Sequence, residues 1–127
     1  MSLPAGERIT LVEVLELKGS YETFLAIIRA AARRLEAEGV RGLVGARFYA
    51  KPESREIGAV ITFAGPGQVM EHIRMISGWP EFKALLACVV PIDVRVYGRL
   101  PGEAHAWLRQ MNVESRTFEH FVAGFER

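Results

Sequence analysis

Apolar positions along the chain switch between two periods. Their order predicts strand, helix, strand, strand, helix, strand between residues 9 and 98. From Ile9 to Lys18 the side chains alternate, with Leu11, Glu13, Leu15 and Leu17 on one face and Thr10, Val12, Val14 and Glu16 on the other. Both faces are mostly apolar, which is the pattern of a central strand covered on two sides. Gly19 breaks the strand and Ser20 is placed to cap a helix. In that helix Phe24, Ile28, Ala31 and Leu35 recur at three- and four-residue steps. Gly39 is expected to end it in the left-handed conformation. Residues 43–50 form a second strand, with Val44, Ala46 and Phe48 opposed to Gly45, Arg47 and Tyr49. Turn chemistry at Lys51-Pro52-Glu53-Ser54 leads into a third strand from Glu56 to Phe63. After Gly65-Pro66-Gly67 a short amphipathic helix runs from Gln68 to Ile76, and Trp79-Pro80 imposes an extended step. A further helical stretch from Glu81 to Val89 buries Phe82, Leu85 and Leu86, and Ile92 to Tyr97 alternates as the fourth strand.

That order is a split βαβ, or ferredoxin-like, unit. The fold class is therefore α+β: a four-stranded antiparallel sheet with its helices on one face. Two helices cover one face only, so the apolar residues of the other predict a homodimer in which two sheets meet as an α/β barrel. Residues 1–8 are an N-terminal extension and 9–98 the domain. Residues 99–127 are a C-terminal helical extension, packed on the domain or on the partner. Its first helix is expected over Glu103 to Gln110, and Phe118, Phe121, Val122 and Phe125 are spaced for a second.

Composition narrows the function classes. The 16 basic and 15 acidic residues give a net charge of +1 and are spread along the length, so nucleic acid is not an expected partner. The apolar run from Leu85 to Ile92 is far too short for a membrane span. The N-terminus lacks the basic-then-apolar order of a signal peptide, and Ser2 and Leu3 read as a cloning remnant. A single cysteine, Cys88, precludes an internal disulfide and fits a cytoplasmic location. The same residue, among Ala87, Val89 and Val90, reads as an inert buried thiol.

Met70-Glu71-His72, Pro80-Glu81-Phe82-Lys83-Ala84-Leu85-Leu86 and Pro91-Ile92-Asp93-Val94-Arg95-Val96-Tyr97 carry a family resemblance. Residues 9–98 resemble the dimeric α/β-barrel proteins, most closely the antibiotic-biosynthesis-monooxygenase-like branch. The resemblance implies a pocket between each sheet and its helices, and a range of activities that includes cofactor-independent oxygenases, haem-degrading enzymes and isomerases. The chain departs from the pattern at several places. Glu81 stands before Phe82 where the family often has histidine, and Phe63 replaces a common tryptophan. Where haem-degrading members carry an axial histidine this chain has Ala84, Leu85 and Leu86, and its first strand lacks their asparagine. Haem degradation is not expected, and no cofactor is.

Three residues are candidates for catalysis: His72, Tyr49 and Arg95. Histidine titrates near neutrality and suits acid–base work, although a histidine at such a helix position more often faces solvent. A tyrosine can donate to a developing oxyanion and an arginine can hold it. Glu13, Arg47 and Tyr97 would join Tyr49 and Arg95 in a polar cluster that binds substrate or knits the dimer, and Trp79 is a lid or a packing plug at its bend. His72, His105 and His120 have no metal-site spacing. The function this implies is a cofactor-independent monooxygenase-like protein, or an isomerase, acting on a small aromatic or quinone-like substrate. A non-catalytic ligand-binding dimer and a purely structural barrel are the alternatives.

Overall fold

The computed structural model describes residues 7–127. Most of the expected N-terminal extension, residues 1–6, lies outside the described residues. Strand β1 (Ile9–Leu17) leads to helix α1 (Tyr21–Glu38), then β2 (Leu43–Lys51) and β3 (Glu56–Phe63) form a hairpin. Helices α2 (Gly67–Ile76) and α3 (Pro80–Cys88) precede β4 (Val89–Tyr97), and α4 (Gly102–Gln110) and β5 (Ser115–Phe118) follow it. The sheet order is β2-β3-β1-β4-β5. The first four strands pair antiparallel, as expected of a ferredoxin-like unit, but β5 adds to β4 in parallel. The four-stranded antiparallel expectation is therefore corrected to a five-stranded mixed sheet.

Local chemistry accounts for the element ends. Ser20 Oγ accepts from the Thr23 N–H at 3.0 Å and caps α1. Gly39 ends α1 in extended rather than left-handed backbone, and a Cβ there would collide with the Leu35 carbonyl. Arg55 closes the β2–β3 turn at φ 61, and its Nη2 donates to the Leu17 and Gly19 carbonyls at 2.9 Å each. Register shifts bulge β2 near Val44 and β4 near Ile92, leaving those side chains 51% and 56% exposed where regular alternation would have buried them.

All helices lie over one face of the sheet, which carries Ile9, Leu11, Glu13, Leu15 and Leu17 from β1 and Ile57, Ala59, Ile61 and Phe63 from β3. Beneath them the core is divided. One cluster joins Ile9, Phe63, Val69, Ile73, Val94 and Val96 to Leu100, Ala104, Leu108 and Val113. The other joins Leu15, Leu17, Phe24, Ile28, Ile57, Cys88 and Val89. The first half of the C-terminal extension thus completes the domain's own core. The expected second helix of that extension is corrected: residues 115–118 are strand and 119–127 have no regular structure. Phe118, Phe121, Val122 and Phe125 are 51–91% exposed, because after β5 pairs with the sheet edge no described element covers them.

Candidate functional site

The divided core has a cavity in its middle. It has a volume of about 140 Å³ and is walled by members of both clusters, from Leu15, Phe24 and Ile28 at one end to Phe63, Val69 and Leu108 at the other. Its lining is almost wholly apolar. Among the described residues that line it, Glu13 and His72 alone are titratable. Aromatic rings form part of the remaining wall: Phe82 and Trp107 stack with centroids 6.2 Å apart, and Trp79 is buried.

Glu13 reaches the cavity because β1 alternates. It sits between Leu11 and Leu15 on the covered face, opposite Ala59 and Val94. It is half-buried and lines the cavity, and no hydrogen bond or ion pair to it occurs among the described residues. Burial alone pushes its pKa from 4.5 up to about 7. His72 comes from the apolar stripe of α2, beside Val69, Ile73 and Ile76. It is 7% exposed, packs edge-on against Phe63 at 5.2 Å, and its Nδ1 meets no hydrogen-bond partner. Burial lowers its pKa from 6.5 to about 4, so the ring is neutral at pH 7. Neither shift draws on the other group. Glu13 faces Ala59 while His72 lies over Phe63, four residues further along β3, or roughly 13 Å at about 3.3 Å per residue. Two unpaired polar groups therefore stand apart across an apolar space.

Trp79 forms part of the cavity wall at the start of α3. The Arg34 guanidinium lies 4.2 Å from the centre of its ring, and Arg34 Nη1 donates to Glu81 at 2.9 Å. The first turn of α3 and then Arg34 hold the Glu81 carboxyl below the usual carboxylate range. This fastens α3 to α1 over the cavity.

The other expected site residues lie elsewhere. Arg47, Tyr49, Arg95 and Tyr97 project from the bare face of the sheet, with Arg95 paired to Val12 and Tyr49 to Gly58 in the strand register. Glu13 does not join them, because the thickness of the sheet intervenes. Arg95 is tied to Asp93 at 3.0 Å, Arg116 reaches the same carboxylate at 3.3 Å, and Tyr97 stacks on Phe118 at 5.2 Å. His72 is thus separated from Tyr49 and Arg95, and it is buried rather than solvent-facing. Trp107 was not singled out as a site residue from the sequence. Its signal was weak: one aromatic on a tail helix, with nothing to say that the helix folds back over the core. Cys88 is buried, donates to the Leu85 carbonyl at 3.3 Å, and has its pKa raised by burial. No cluster of three or more His, Cys, Asp or Glu side chains converges among the described residues. Nor is any described helix long and apolar enough to cross a membrane.

The architecture recurs in solved structures. MupZ from Pseudomonas fluorescens superposes with TM-score 0.68 at 14% identity, covering 95% of this chain and 95% of that one. SnoaB from Streptomyces nogalater, described as a cofactor-independent oxygenase, gives 0.62 at 11% identity over 75% of this chain and 95% of its own. A candidate antibiotic biosynthesis monooxygenase from Bordetella bronchiseptica gives 0.55 at 20% identity over 75% and 99%. The chain has the ferredoxin-like fold of antibiotic-biosynthesis-monooxygenase-like proteins. The match to MupZ leaves so little of the chain uncovered that most of the segment after β4 is included in it. No family model matches the sequence, and no curated protein does.

Proposed function

We propose that this protein is a cofactor-independent oxygenase acting on a small aromatic or quinone-like substrate held in the cavity between sheet and helices. The observation that carries the reading is an almost wholly apolar cavity lined by two titratable side chains, Glu13 and His72, for which no partner occurs among the described residues. Internal polar groups are ordinarily paired, so two that face a shared space are disposed toward a ligand. The fold shared with SnoaB, a cofactor-independent oxygenase, supports the same class of reaction.

Glu13 is the better general base, since its pKa near 7 matches neutral pH and the imidazole's does not. Neutral His72 stands roughly 13 Å further along the sheet, at about 3.3 Å per residue, and so hydrogen-bonds a small ligand only in place of Glu13 and takes no part in this step. The base removes a proton from a ring hydroxyl or from a carbon next to a ring carbonyl. The electron-rich anion then passes electrons to dioxygen. A CH₂ group becomes C=O, one oxygen atom is kept, and the other leaves as water with the two hydrogens. The substrate supplies all four electrons, so the step needs no separate reductant. On the bare face Arg47, Tyr49, Arg95 and Tyr97 contribute to a homodimer interface instead of to the site. A ligand-binding protein without catalysis is the second reading, favoured by a cavity smaller than the roughly 300–1,000 Å³ of most small-molecule sites.

Oxygen uptake with a panel of ring-hydroxylated and anthrone-like compounds tests the proposal. Glu13→Leu should reduce turnover by about 100-fold or more, the scale of a lost general base, while Tyr49→Phe and Arg95→Gln change it little. Uptake that is absent with every compound the protein binds would leave the binding reading in its place.

A further inference from the structure

We infer that the cavity is built for an uncharged, single-ring compound carrying a hydroxyl or carbonyl group, and against polycyclic rings and aromatic carboxylates. This deepens the reading above and rests on it only in taking the cavity as the ligand site. Three observations lead there. The volume of about 140 Å³ is close to that of apolar protein cavities that accept benzene, about 150 Å³. One ring fills such a space, and a second fused ring has to leave it through the mouth of the cavity or displace the wall. The wall is close-packed and latched, by the Phe82–Trp107 stack and by Arg34 on Trp79 and Glu81, and packed walls resist such movement.

Charge is the second observation. The described lining holds no Lys or Arg, and Arg47 and Arg95 lie across the sheet. A carboxylate entering this space would surrender its hydration for no cation and would meet the Glu13 carboxyl. A neutral hydroxyl meets the opposite situation. Among the described residues Glu13 and His72 are each without a partner, so a ligand hydroxyl can donate to one of them, and a carbonyl can accept from the protonated Glu13 or from an imidazole N–H. The third observation is the surrounding surface: Phe63, Phe82, Trp79 and Trp107 offer ring faces and edges to an aromatic guest.

The chain's two tryptophans, Trp79 and Trp107, both line the cavity, so intrinsic fluorescence reports its occupancy. Titration of the full chain at pH 7.5 with phenol, benzoate, 1-naphthol and anthrone distinguishes the classes. Phenol should give saturable quenching, with benzoate at least about 100-fold weaker, since a buried unpaired charge outweighs an added ring contact. Anthrone should not displace phenol. The variant Glu13→Leu should lose most of the preference for phenol over toluene while keeping toluene binding, which also shows that it folds. Benzoate binding as well as phenol, or anthrone binding more tightly than phenol, would overturn the inference. Anthrone that binds and is oxidised would keep the oxygenase and remove the single-ring limit. Phenol that binds without oxygen uptake from any ligand would do the reverse.

Discussion

At the scale of single residues, Glu13 has the largest consequence, because a carboxylic acid in an apolar wall sets its own pH dependence. Its folded-state pKa is about 7 against an ordinary 4.5. Below pH 4.5 it is protonated in folded and unfolded chains alike and has no net effect. As the pH rises from 4.5 to 7 the unfolded chain ionises and the folded one resists, so stability is lost, by about 3 kcal/mol above pH 7 at about 1.36 kcal/mol per pKa unit. His72 works in the other direction: its value falls from 6.5 to about 4, so the stability it permits is present above pH 6.5 and is lost as the pH falls through 4. Glu13→Gln should therefore unfold at higher denaturant concentration than the parent at pH 8, by up to about 3 kcal/mol, and match it at pH 4. Equal stabilities at both pH values would mean that Glu13 is ordinarily solvated. That Glu13 shares a face of β1 with Leu11 and Leu15 was legible from strand alternation, but not that the helices cover this face. The separation of Glu13 from Arg47 and Arg95 was not, because alternation places a residue on a face without saying which faces of different strands coincide.

At the scale of elements, β1, α1, β3 and the helical nature of α2 and α3 were legible, since each carries a clean period of two or of three to four residues. The bulges at Val44 and Ile92 were not, because register is fixed by the partner strand and leaves no mark on one sequence. The tail misled for a related reason. The spacing of Phe118, Phe121, Val122 and Phe125 suits a helix, but β4 offers an unpaired edge, and β5 takes the backbone hydrogen bonds there. The two halves of the extension should behave differently when removed. A cut after Arg99 strips Leu100, Ala104, Leu108 and Val113 from the core. At about 1.5–3 kcal/mol for each large side chain this loss approaches the whole stability of a domain, about 5–15 kcal/mol, and cooperative unfolding should disappear. A cut after Phe118 removes exposed residues and the surface pair Arg8–Glu126. It should change the stability of the isolated subunit by about 1 kcal/mol or less in urea denaturation. A larger loss from the second cut than from the first would contradict this assignment of the core.

For the whole molecule, the sheet has two working faces. One carries the cavity. The other presents Val12 across from Val60 and the Thr10–Thr62 hydroxyl pair at 3.3 Å, flanked by Tyr49, Arg95 and Tyr97. Light scattering at micromolar concentration should give a dimer, and Val60→Lys a monomer that still binds phenol, because a charge on the bare face cannot reach the cavity through the sheet. A monomeric parent protein would remove the barrel. The proposed ligand site lies on the helix side of the sheet, between the two halves of the core. A crystal structure of the protein grown with a halogenated phenol tests it most directly, since anomalous scattering locates the halogen. One halogen per subunit should lie inside the cavity, with the phenol oxygen within hydrogen-bond distance of Glu13 or His72. A halogen found instead on the bare face, beside Arg95 and Tyr97 with the cavity empty, would contradict this placement of the site.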